Sequence, residues 1–154
     1  MIDHTRLTYT EEYFRDTEQL QRWKRCGHEI KNTTIHISPV KDQLLIDEIA
    51  KDYPHLSNIA VCFHCLLPGH YLPMHTDRYG YYAKKHNVTD LNQIERTVVF
   101  LEDWQPGHFL IVGDVTYANW KAGDATYWVG TEPHSAINTG FCKRYTMQVT
   151  GIYA

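Results

Sequence analysis

The stretch KRYTMQVTG, residues 143–151, carries two different faces on one extended segment. Successive strand residues point to opposite sides, so Arg144, Thr146, Gln148 and Thr150 share one face and Tyr145, Met147 and Val149 the other. In an ordinary sandwich the polar face would look at solvent. In a barrel with a ligand cavity it would line the cavity, while the apolar face would sit beneath covering helices. Both arrangements are open at this level.

The chain supplies candidates for such helices. Residues 10–26, TEEYFRDTEQLQRWKRC, begin with a capping Thr, place acids early and bases late, and end at Gly27. A second amphipathic run, with Leu44, Leu45 and Ile49, extends from Pro39 or Lys41 to Asp52 and stops before Pro54. From residue 58 the pattern changes to short runs rich in Val, Ile, Tyr, Phe and Trp. Turns at LPGHYLP, DWQPG, KAGD, GTEP and NTG separate them. Strands are predicted near 58–67, 95–102, 108–112, 115–119, 124–129, 134–138 and 142–153, with 78–94 as the only long connection. The expected fold is mainly β, a sandwich or rolled-up barrel with N-terminal helices on an outer face. Residues 1–57 read as helical support and 58–154 as the β core of a single domain. Trp104, Trp120, Tyr127 and Trp128 are expected in that core.

The 154 residues are 43% hydrophobic and 21% charged, enough for one self-sufficient core. A net charge of −3 gives no general attraction to nucleic acid or anionic membrane, so neither is expected as a partner. The start, MIDHTRLTYTEEYFRDTEQ, lacks the basic and apolar regions of a signal peptide, and no apolar stretch approaches the roughly 20 residues that span a bilayer. A cytoplasmic protein with reduced thiols at Cys26, Cys62, Cys65 and Cys142 is expected. Cys62 and Cys65 resemble half a zinc site, but in a strand positions i and i+3 face opposite ways.

Chemistry concentrates in PMHTDRYG, residues 73–80. His75 and Asp77, two positions apart on an extended segment, can reach one ion together. His134, opening the strand after Pro133, supplies a third ligand. Two histidines and a carboxylate form the facial triad of non-haem iron(II) oxygenases. With ten histidines in the chain, that pattern alone is weak. Arg144 strengthens it. A guanidinium fork with Thr146 beside it on the same face can fix the far carboxylate of a keto acid.

HTD at 75–77, His134, and Arg144 with Thr146 resemble the HxD…H…RxS/T signature of Fe(II)/2-oxoglutarate-dependent dioxygenases, over roughly residues 58–153. Within that superfamily the chain looks like the aspartyl/asparaginyl β-hydroxylase group. Pro68-Gly69 before the first histidine, Arg96 on the next core strand, and Gly123-Asp124 before the distal histidine occupy the corresponding places. The departure is Asp77, where the animal β-hydroxylases have glycine. The resemblance implies a double-stranded β-helix, a jelly-roll, cupin-like barrel whose larger sheet both helices brace. It implies Fe(II) on His75, Asp77 and His134, with 2-oxoglutarate and O2 as cosubstrates. The reaction would hydroxylate a C–H of an amino-acid, peptide or related carboxylate-bearing substrate, releasing succinate and CO2. His64 occupies the family position of a polar side chain that touches the cosubstrate. Arg96, a cation heading an apolar strand, needs an anion: a substrate carboxylate, the near carboxylate of 2-oxoglutarate, or a structural salt-bridge partner. The segment DRYGYYAKKHN, residues 77–87, either closes over a substrate or is a solvated loop. The competing reading is a non-catalytic cupin-like module holding a metal or small ligand, which has no need of Arg144 with Thr146.

Overall fold

A computed structural model describes residues 2–153. The larger of its two sheets contains β1 (Thr10–Glu12), β2 (Ile35–Pro39), β3 (Leu56–Leu66), β10 (Arg144–Tyr153), β5 (Ile94–Phe100) and β8 (Ala125–Val129), in that order. The smaller runs β4 (Tyr71–His75), β9 (His134–Asn138), β6 (His108–Val112) and β7 (Val115–Tyr117). Every pairing between these strands is antiparallel. From β3 onward, with the β6–β7 hairpin counted once, the chain alternates between sheets at each strand. That winding makes a jelly roll. Three helices accompany it: α1 (Thr17–Arg25), α2 (Gln43–Ala50) and α3 (Gly80–Lys85).

Strand β10 decides between the two arrangements its sequence allows. Arg144, Thr146 and Thr150 are buried, and so is Val149 on the opposite face. Val149 packs with Val61 and Phe63, and Ile46 and Ile49 of α2 cover them. Fully burying each such side chain contributes about 1.5–3 kcal/mol. The polar face therefore lines the barrel and the apolar face lies under a helix. Between the sheets, Val98 and Phe100 of β5 and Trp128 of β8 meet Leu110 and Val112 of β6, with Trp120 completing the cluster.

The N-terminal part departs from expectation. Residues 10–12 are not the start of a helix; they pair with Ile35–Ile37 as an edge strand. Asp16, not Thr10, caps α1, accepting from the backbone N–H groups of Glu18 and Gln19. Capping oxygens satisfy donors the helix leaves free, and with residues 10–12 held in the sheet that role falls to Asp16. β1 and β2 thus extend the larger sheet from a segment read as purely helical support. Of the two expected N-terminal helices, α2 braces that sheet. Trp23 of α1 bonds instead to Met74 in the smaller one. The turn-like YLP of residues 71–73 lies in β4, where Pro73 is tolerated because β4 is an edge strand. Trp120 and Trp128 are buried as expected, whereas Tyr127 points outward from β8 and is 60% exposed.

All four cysteines are free. Cys62 lines an open cavity, while Cys65 pairs with Tyr145 on the outer face of the sheet.

Candidate metal centre

His75 ends β4 and His134 begins β9, and the strand register sets them directly opposite each other. Asp77 follows two residues after His75. One ligand atom from each of the three lies within 4.8 Å of the others. The His75 Nε2 is 3.7 Å from one Asp77 oxygen, and the His134 Nε2 is 3.2 Å from the other.

The far side of each ring fixes its tautomer. His75 Nδ1 is 2.7 Å from the Pro73 carbonyl and His134 Nδ1 is 2.9 Å from the Glu132 carbonyl. Each must donate there, which leaves both Nε2 lone pairs turned toward the carboxylate. Lone pairs and a carboxylate converge without repulsion only around a cation. The donor set therefore fits a divalent metal with imidazole and carboxylate preferences. Phe14 and Trp23 pack on the His75 ring, and Trp128 packs on His134. No pattern in the sequence marks Phe14 or Trp23 for this place.

Burial, reinforced by neighbouring His134, lowers the His75 pKa to about 4, the neutral form a metal ligand needs. Burial alone would raise the Asp77 carboxyl. The Arg96 guanidinium, bonded to the carboxylate at 2.7 Å, leads the opposing influences, and the group is held far below the carboxylate range.

Arg96 has its anion within the protein. Its Nη1 donates to Asp77 at 2.7 Å, its Nε donates to Thr150 Oγ1 at 3.0 Å, and its guanidinium lies over the Tyr79 ring at 4.7 Å. Of the partners weighed from sequence, the structure supplies one, the Asp77 carboxylate of the candidate metal site. Glu95, the chain neighbour of Arg96, points the other way, meeting His55 and Tyr153 on the outer face.

Arg144 is different. It is 5% exposed, its Nε has no hydrogen-bond partner, and its guanidinium lies over the Trp120 ring, 5.5 Å from its centre. Burial lowers its pKa to about 10, and no carboxylate among the described residues offsets that. Trp120, itself stacked on Phe100 at 3.9 Å, is a neighbour of this cation that sequence reading left in the core. Thr146 is buried two residues along the same face and lies directly across from His64 on β3. Burial, with Arg96 adding to it, lowers the His64 pKa to about 4, so the ring is neutral.

A cavity of about 950 Å³ opens beside His64 and Arg96, with Gln148 and Thr150 on the same wall. The three candidate ligands lie just beyond it, joined to it through the Arg96–Asp77 pair. Tyr79, Tyr81 and Tyr82 form another wall. This segment is pinned rather than loose: Tyr79 donates to the Gly130 carbonyl at 2.8 Å, and Tyr82 to the Asn58 carbonyl at 2.7 Å. Only Tyr81 stands free, at 81% exposed. No helix among the described residues is long and apolar enough to cross a membrane.

Neither a protein-family model nor a curated protein matches the chain by sequence. Solved structures match by shape. A Pseudomonas putida prolyl-4-hydroxylase aligns with a TM-score of 0.59 at 14% identity, over 99% of this chain and 96% of that one. A predicted oxalate decarboxylase from Thermotoga maritima aligns at 0.54 and 11%, covering 99% and 98%. A cupin domain of an XRE-family transcriptional regulator from Enterobacter cloacae aligns at 0.50 and 12%, covering 78% and 98%. At such identities the likeness speaks for the fold alone. The chain is thus a mainly β, jelly-roll protein of the double-stranded β-helix, cupin-like kind, with a histidine, aspartate, histidine cluster able to hold a metal.

Proposed function

We propose that this protein is an Fe(II)- and 2-oxoglutarate-dependent dioxygenase, similar to the aspartyl/asparaginyl β-hydroxylase group. One observation carries the reading: Arg144, a buried cation without an anionic partner, stands in the same barrel as the ligand cluster. A buried charge without compensation costs several kcal/mol, so a site that keeps one is built for an anion that arrives. A dicarboxylate suits it, because Thr146 offers a hydroxyl on the same face. A module that merely held a metal would have no use for that cation.

His75, Asp77 and His134 would hold the iron, and Arg144 with Thr146 the far carboxylate of 2-oxoglutarate. His64, neutral and facing Thr146, would border the cosubstrate. Bound iron supplies the activation of O2 that converts 2-oxoglutarate to succinate and CO2 and hydroxylates an unactivated C–H. The protein's own contribution is orientation and exclusion of water. Arg96 holds the Asp77 carboxylate in its ligating pose and keeps it ionised. The substrate, an amino acid, peptide or related carboxylate-bearing molecule, would enter by the cavity between the tyrosine segment and β3. The likeness to a prolyl-4-hydroxylase concerns the fold and says nothing of the substrate.

The test is succinate release from 2-oxoglutarate by Fe(II)-reconstituted protein. Release that requires iron and is lost in Arg144→Ala supports the reading. Stoichiometric iron binding with no 2-oxoglutarate affinity would make this a metal-holding cupin instead.

A further inference from the structure

Helix α1 lies outside the barrel, yet a buried polar side chain on it reaches the strand that carries the metal ligands. Gln19 is 7% exposed. Its Nε2 donates to the Thr76 carbonyl at 3.0 Å, and its Oε1 accepts the Thr76 N–H at 2.8 Å. Thr76 separates His75 from Asp77, so one amide grips both peptide links that join it to the candidate ligands. The Asp16 carboxylate accepts the other Nε2 hydrogen of Gln19 at 2.8 Å, which leaves Oε1 as the atom turned to the Thr76 N–H.

The contacts continue along the segment. Trp23 Nε1 donates to the Met74 carbonyl at 3.1 Å, and the Arg78 guanidinium reaches Asp16 at 2.9 Å. Residues 74, 76 and 78 are therefore tied to α1, while 75 and 77, of opposite parity, point to the candidate metal. β4 is the edge of the smaller sheet, and its backbone has no further strand beside it. The helix takes that strand's place.

We propose that Gln19 is a positioning residue for the metal, and that docking of α1 and binding of the metal stabilise each other. This rests on the metal reading given above. Ligands must be held to within a fraction of an ångström for full affinity, and outer contacts of this kind typically contribute about 10–100-fold. Linkage is reciprocal: whatever the docked helix adds to metal affinity, the metal adds to docking.

Cobalt(II) is the probe, since its visible absorption reports ligand geometry. Trypsin reads the helix, because Arg22, Lys24 and Arg25 are exposed but cleavable only when α1 detaches. Saturating Co(II) should slow cleavage at these sites about tenfold in the unmodified protein, in line with the coupling sizes usual for linked sites. Cleavage after exposed Lys51, at the end of α2, should be unaffected. Gln19→Met, of similar length but without the amide, should bind Co(II) about tenfold more weakly, alter its absorption, and lose the tryptic protection even at saturation. Trp23→Phe retains a ring against His75 and removes only the Met74 bond; it gives a smaller effect of the same sign if Gln19→Met folds poorly. Equal slowing at Lys51, or full protection in both variants, overturns the proposal while leaving the metal site standing. Failure of the unmodified protein to bind Co(II) overturns both.

Discussion

Two arginines enter the same barrel and meet opposite circumstances. Arg96 has a carboxylate at 2.7 Å, a hydroxyl at 3.0 Å and an aromatic face. Arg144 has an aromatic face and an unpartnered Nε. Both stand on strands of the larger sheet, and Arg96 lies directly across from Thr150 on the strand that carries Arg144. The difference teaches how each charge is balanced within the protein. A satisfied cation orders what it touches, here the Asp77 carboxylate; an unsatisfied one marks a place where charge is missing until a ligand brings it.

The largest expected effect comes from removing the metal's end of the barrel and leaving both arginines in place. His134→Ala should lower Fe(II) or Mn(II) affinity at least about a thousandfold, roughly 4 kcal/mol, by calorimetry. Unchanged metal content would end the triad assignment, and with it the account of why Arg96 is paired.

The opposite end should answer next. Arg144→Ala should weaken 2-oxoglutarate binding about a hundredfold, near 3 kcal/mol, with metal affinity nearly intact. Arg144→Lys should restore only part, because an ammonium cannot match a guanidinium fork. Equal affinity in all three would make Arg144 structural and erase the contrast with Arg96.

A third measurement turns on the paired cation. Arg96→Met should destabilise the metal-free protein by about 2 kcal/mol in urea, since it strands a buried carboxylate. Added Mn(II) should recover most of that loss by supplying the missing positive charge. Loss of 2-oxoglutarate affinity with no change in stability would instead move Arg96 into the cosubstrate site beside Arg144.

The smallest effect sharpens the comparison most, because its sign is reversed. Arg144→Met, measured without metal or cosubstrate, should raise stability by about 1 kcal/mol, as an unpaired buried charge gives way to an apolar chain of similar length. A fall in stability would show that the Trp120 contact already satisfies Arg144.

Much of this was legible along the chain. The alternation in 143–151 announced a strand with a polar and an apolar face, and the rhythm of turns announced a β-rich core. The spacing HTD put two ligand types on one side of an extended segment. Each of these depends on backbone periodicity, which is local and readable wherever it occurs. The start of α1 was misplaced because Thr10 and Asp16 both satisfy the rules for a cap. The choice between them rests on β1 pairing with β2, a contact across more than twenty residues.

Sequence by itself determined the order of the candidate ligands, the two faces of β10 and the presence of helices to cover one of them. Tertiary structure decided which face of β10 turned inward and that His75 and His134 stand opposite each other. It gave Arg96 to Asp77, left Arg144 alone, and set Gln19 against Thr76 across 57 residues. The reason is physical. Periodicity follows from neighbouring dihedral angles, whereas whether a buried charge has a partner depends on strand register and sheet order, which no short window of residues contains.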